Sequence, residues 1–149
     1  MNVPKIICLL FSGIILFSSF NFTQVDGGSL TVKVDNLRND IGNVQFALYN
    51  EDGSIPDEKY KKYYKKLSSE IVNHSSTITF NNLPIGTYAL NILHDEDMDS
   101  KLDKGWVLPI EGIGFSNYQS IGLSSRPNFS KASFLMNADT LIKVKVIYM

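Results

Sequence analysis

The stretch YALNILHDEDMDSKLD, residues 88–103, joins two patterns end to end. Tyr88, Leu90 and Ile92 fall on alternate positions, the period of a strand with one buried face. Five of the next nine residues, from Asp95 to Asp103, are acidic. A strand that runs straight into an acidic loop sets this chain apart from a helical calcium hand and points to a β scaffold carrying a charged turn.

The same alternation recurs on both sides of that stretch. Leu30, Val32 and Val34 alternate with Thr31, Lys33 and Asp35; Val44, Phe46 and Leu48 repeat the pattern, as do Ile78 and Phe80. Ala132, Phe134 and Met136 form another set, and Ile142, Val144, Val146 and Tyr148 alternate against Lys143 and Lys145. With turn signals such as Asn81-Asn82-Leu83-Pro84-Ile85-Gly86 between them, these segments predict an all-β, antiparallel two-sheet sandwich of about six to seven strands. Ser54-Ile55-Pro56-Asp57 has the form of a helix start, and Tyr60, Tyr63, Tyr64 and Leu67 follow at helical spacing. These predict one short helix near residues 56–67, with its lysines on a solvated face. Residues 105–131 show little alternation and carry Trp106, Phe115, Tyr118 and Phe129 among glycines and prolines, which predicts a long ordered loop.

At 149 residues, 44% apolar and 19% charged, the chain fits a single globular domain. Its first 20 residues have a secretory layout: Lys5, then an apolar run from Ile6 to Phe17, then Ser18 and Ser19. That run is too short to span a bilayer, so cleavage is expected between residues 18 and 28, leaving a domain over 29–149 with no stable membrane span. Cys8, the sole cysteine, lies in the leader, so the mature chain has no thiol chemistry. An exported protein is expected, whether periplasmic, outer-membrane associated or extracellular. Its near-balanced charge predicts no nucleic-acid partner. A cell-envelope protein or glycan is the partner class expected, with its identity left open.

Asp95, Asp97, Asp99 and Asp103 stand at relative positions 1, 3, 5 and 9 of a calcium-type loop. Lys101 at position 7 can offer its carbonyl, and Glu111 is a later oxygen donor. Crowded carboxylates repel, and a bound cation reverses that cost. The expected cofactor is therefore calcium, held by Asp95, Asp97, Asp99, Lys101, Asp103 and Glu111. Glu96 and Met98 are out of phase and should point outwards. His94 shares the face of Tyr88, Leu90 and Ile92, at the edge of the core, where it would orient the loop. With Trp106, Phe115, Asn117 and Tyr118 it forms the set expected to face a ligand or order the long loop. No residue is assigned a catalytic role. Two alternatives stand beside the cation-binding module: a hydrolase-like enzyme in which His94, Asp95 and Glu111 converge, and a structural surface protein with no metal.

The runs Gly86-Thr87-Tyr88-Ala89, His94 to Asp103 and Pro109-Ile110-Glu111-Gly112-Ile113-Gly114-Phe115-Ser116-Asn117 resemble domain-of-unknown-function family 2141 of secreted bacterial proteins. Its signature reads histidine-aspartate-x-asparagine-x-asparagine-glycine-lysine-leucine-aspartate, followed by proline-x-glutamate-glycine and glycine-phenylalanine-serine-asparagine. The resemblance implies a prealbumin-like sandwich outside the cytoplasm, with no assigned activity. Asp97 and Asp99 stand where the family usually has asparagine, which would strengthen a cation site. Ser100 replaces the glycine best suited to the tight turn.

Overall fold

The computed structural model describes residues 27–103, 110–122 and 125–149. The expected leader, with Cys8, and Trp106 of the long loop lie outside the described residues. Among the described residues are eight strands and one helical turn: β1 Gly27–Val34, β2 Asn43–Tyr49, β3 Lys65–Glu70, β4 Ser76–Pro84, β5 Gly86–Asp95, β6 Gly112–Phe115, α1 Phe129–Ala132, β7 Phe134–Met136 and β8 Thr140–Val144. They form two sheets, one ordered β4-β1-β8 and one ordered β3-β2-β5-β6, with β7 also pairing β5. Among the described residues no helix is long and apolar enough to cross a membrane.

The alternating residues meet between the sheets, as a two-sheet sandwich requires. Leu30, Val32 and Val34 of β1 face Phe46 and Leu48 of β2 and Leu90 and Ile92 of β5 across one buried core, joined by Phe80, Met136 and Val144. Pairing is antiparallel except between β1 and β8, which run parallel with Leu30 opposite Thr140 and Val34 opposite Val144. Beyond β8 the chain crosses to the other sheet, where Ile147 exchanges backbone hydrogen bonds with Ile113 at 2.7 and 3.0 Å.

Three expectations need correction. The helix near 56–67 is absent: residues 57–60 form a turn and Lys65–Glu70 pairs with β2 as an edge strand. Of the four residues at helical spacing only Tyr60 is buried, while Tyr63, Tyr64 and Leu67 are exposed. Tertiary contacts override local preference here. Asp57 does not cap a helix; its Oδ2 accepts from the Tyr49 hydroxyl and from the Lys62 amide. The free edge of β2 is satisfied by the polar strand β3 instead. Second, strands β3 and β6 bring the count to eight. Third, the long loop after residue 105 contains β6 and α1, the latter capped by Asn128, whose Oδ1 accepts from the Lys131 amide at 2.9 Å.

The far face of the five-stranded sheet is also buried. Ala47, Tyr49, Ala89, Leu93, Ile113 and Phe115 pack there beneath Ile55, Tyr60, Tyr118 and Phe129. Every residue of β5 from Tyr88 to Asp95 is therefore buried, with Leu90, Ile92 and His94 turned inward and Asn91, Leu93 and Asp95 turned to this outer core.

Candidate metal centre

Strand β5 delivers Asp95 at its last position, opposite Asn43 of β2. The next turns fold back on that carboxylate. Asp95 Oδ1 accepts from the Asp99 amide at 3.1 Å and Oδ2 from the Ser100 amide at 2.9 Å. Asp97 Oδ1 accepts from the same Asp99 amide at 3.0 Å, and Asp99 Oδ1 from the Lys101 amide at 2.7 Å. Successive Asp side chains thus close successive turns, the local habit of this residue. The loop reverses twice through left-handed residues, Met98 at φ 60° and Ser100 at φ 62°. Ser100 makes this turn at a steric cost that glycine would escape.

One carboxylate oxygen from each of Asp95, Asp97 and Asp99 lies within 4.8 Å of the others. Asp95 is 1% exposed, and Asp97 and Asp99 reach solvent. Burial pushes the Asp95 carboxyl above the usual aspartate range, against the pull of the Ser100 and Asp99 amides; the neighbouring charges of Asp97 and Asp99 push the same way as burial. Lys101 is the existing counter-charge: its Nζ sits 2.9 Å from Asp99 Oδ2 and holds that carboxyl below its ordinary value.

Among the described residues the three-acid group extends to neither Asp103 nor Glu111. Glu111, 4% exposed, is instead a clamp on the loop: Oε1 accepts from the Glu96 amide at 2.9 Å and Oε2 from the Asp103 amide at 3.2 Å. The Ile110 amide returns a bond to the Asp103 carbonyl at 3.0 Å. Burial raises the Glu111 carboxyl above its usual range, and the charges of Asp95 and Asp103 add to that.

Glu96 does not point outwards. Its Oε1 accepts from Arg38 Nε and Asn39 Nδ2, each at 2.8 Å, and Arg38 Nη2 pairs with Oε2. These contacts hold the Glu96 carboxyl down to about 2, led by the Arg38 hydrogen bond. Arg38 in turn lies 4.7 Å over the Tyr148 ring. Nothing local in the sequence marks this pair, because 58 residues separate its members. Met98, 66% exposed, does face solvent.

His94 is fully buried on the opposite face of the sheet from Asp95. Its Nε2 lies 2.9 Å from the Ile41 carbonyl and Nδ1 2.6 Å from the Tyr148 hydroxyl. A single neutral tautomer satisfies both, with Nε2–H donating to Ile41 and Nδ1 accepting from Tyr148. Tyr148 oxygen then accepts from the Arg38 amide at 3.2 Å. His94, Asp95 and Glu111 therefore do not converge on one point. Phe115 and Tyr118 pack edge to face, 5.9 Å apart, in the outer core. Tyr118 hydroxyl donates to the Arg126 carbonyl and accepts from the Asn128 amide, while Asn117 Nδ2 donates to the Ser133 carbonyl at 2.8 Å. Ser116 Oγ accepts from the Leu90 amide and donates to the Ala132 carbonyl.

The model of a family described as "Uncharacterized protein conserved in bacteria (DUF2141)" matches residues 32–143. The chain belongs to this family. The matched span runs from β1 through β8 and takes in the acid loop and the glutamate clamp. Comparison with curated proteins and with solved structures returned no match. In this DUF2141 chain the residues from Glu111 to Asn117 each have an observable role: clamping the loop, admitting the C-terminal segment, filling the outer core, or tying β6 to the segment around Ala132.

Proposed function

We propose that this chain is an exported β-sandwich module that binds a divalent cation, calcium by preference, and uses it to fix the acid loop against the sheet. The observation that carries this reading is the approach of the Asp95, Asp97 and Asp99 carboxylates to within 4.8 Å. Like charges at that spacing are costly unless a cation shares them, and hard cations take six to eight oxygens. The leader-like N-terminus supports export, where millimolar calcium is compatible with a weak site. Glu111 preorganises the loop through two backbone amides, and Asp103 and the Lys101 carbonyl are the loop's remaining oxygen donors. The ion's role is structural: it neutralises the acids next to the outer core, and no residue is assigned to catalysis.

Thermal melts in calcium and in chelator test the reading. One site at a ligand concentration 100 times its dissociation constant adds about 2.7 kcal/mol. The wild type should melt higher in calcium; Asp97→Ala should abolish the shift, and Met98→Ala should keep it. Glu96 is unsuited as a control because it holds Arg38. Identical wild-type melts with and without calcium would refute the proposal.

A further inference from the structure

Two side-chain amides at the start of β2 hold buried polar atoms with no partner. Gln45 is wholly buried, and neither its Oε1 nor its Nε2 has a hydrogen-bond partner among the described residues. Asn43 Oδ1 is equally hidden and unpartnered. A buried unsatisfied amide is uncommon in a native fold, and each instance calls for a missing water, ion or ligand.

Their position narrows the choice. Asn43 stands directly opposite Asp95, and Gln45 opposite Leu93, in the β2–β5 register. Asp95 and Leu93 belong to the outer face, so both amides share the face of the buried carboxylate. Side chains directly opposite across antiparallel strands have Cβ atoms about 5 Å apart, and diagonal neighbours are within reach of a long side chain such as Gln45. Asn43 also lines a shallow groove together with Met98, from the middle of the acid loop. Gly42, at φ 74°, brings the start of β2 so close to Asp95 that a Cβ there would collide with the Asp95 carbonyl. The mouth of β2 and the acid loop are thus pressed together.

This end of the β2–β5 pair is rich in acceptor oxygens: Asp95, with Asp97 and Asp99 oxygens within 4.8 Å of it, and on the paired strand Asn43 Oδ1 and Gln45 Oε1. Amide carbonyl oxygens rank with carboxylates as ligands for calcium. We infer that strand β2 contributes a side-chain amide oxygen, from Asn43 or Gln45, to the cation site, so that the ion joins β2 to the acid loop. This rests on the cation reading above and extends it from a local loop site to one built across two strands.

Terbium is the probe for ligand count, because its luminescence lifetimes in light and heavy water report the number of bound waters. Calcium affinity is measured by calorimetry on the same full chains: wild type, Gln45→Met, which keeps volume but removes both amide atoms, and Asn43→Ala. At least one variant should bind calcium about tenfold more weakly and carry one more terbium-bound water, while melting in chelator no lower than the wild type. Lower stability in chelator would mark a merely structural role and count against the inference. Wild-type affinity and water count in both variants would overturn it while leaving the loop site standing, with the amides then served by buried water. A wild type that binds no calcium would remove the loop site itself.

Discussion

Ser100 sits in the left-handed region at φ 62°, a conformation that glycine adopts without steric penalty. The left-handed conformation costs an L-residue about 1–2 kcal/mol, and glycine's greater unfolded freedom returns part of that. Ser100→Gly should raise chelator-state stability by roughly 0.5 kcal/mol, read from denaturant midpoints. Glu96 gives the acid response its sign. Its folded pKa of about 2 lies below the ordinary 4.5, so the folded state binds fewer protons than the unfolded one through that window. The Glu96 contribution is fully present above pH 4.5 and is lost as pH falls toward 2. Glu96→Gln should flatten the stability profile between those limits, and an unchanged slope would show that the Arg38 pair does not couple to folding. Residues acting through their neighbours were legible in the sequence, since Asp95, Asp97 and Asp99 are two apart and close their own turns. Glu96 with Arg38, and His94 with Tyr148, were not legible as pairs, because 58 and 54 residues separate them.

Strand β6, Gly112–Phe115, shows how an element escapes periodicity. All four residues are buried, so no polar position alternates with an apolar one. Its glycines admit the C-terminal segment: a Cβ on Gly114 would lie 2.5 Å from the Lys145 carbonyl oxygen and 3.1 Å from Val144 Cγ1. Backbone cannot yield as a side-chain tip does. Gly114→Ala should therefore cost about 2 kcal/mol and displace the segment that carries Tyr148, seen as a lower melting temperature together with faster amide exchange at Ile113 and Ile147. A normal melting temperature would show that the segment packs elsewhere. Strand β3 escaped for the opposite reason. KKLSSE has no buried face, and its preceding tyrosines happen to fall at helical spacing, so only the pairing need of β2 distinguishes strand from helix.

At the scale of the whole molecule, alternation was enough to predict two antiparallel sheets, because Leu30, Val32 and Val34 of β1, Val44, Phe46 and Leu48 of β2 and Tyr88, Leu90 and Ile92 of β5 are apolar and meet in one core. It said nothing of the outer core, whose residues come from β2 and β5 positions such as Ala47, Ala89 and Asn91 that read as solvent-facing, and from loops without a period. Nor did it reveal that β8 returns beside β1 in parallel. That pairing fixes how the domain carries load. Force applied N-terminal to β1 and C-terminal to β8 slides two co-directional strands past each other, so the ladder from Leu30 to Val34 is loaded all at once. Force applied at Gly27 and Pro84, which face each other in the antiparallel β1–β4 pair, opens that ladder one rung at a time. Single-molecule pulling should find the first geometry the stronger, with equal rupture forces speaking against it. A domain joined to its surroundings through its two ends would thus be built to resist being pulled straight.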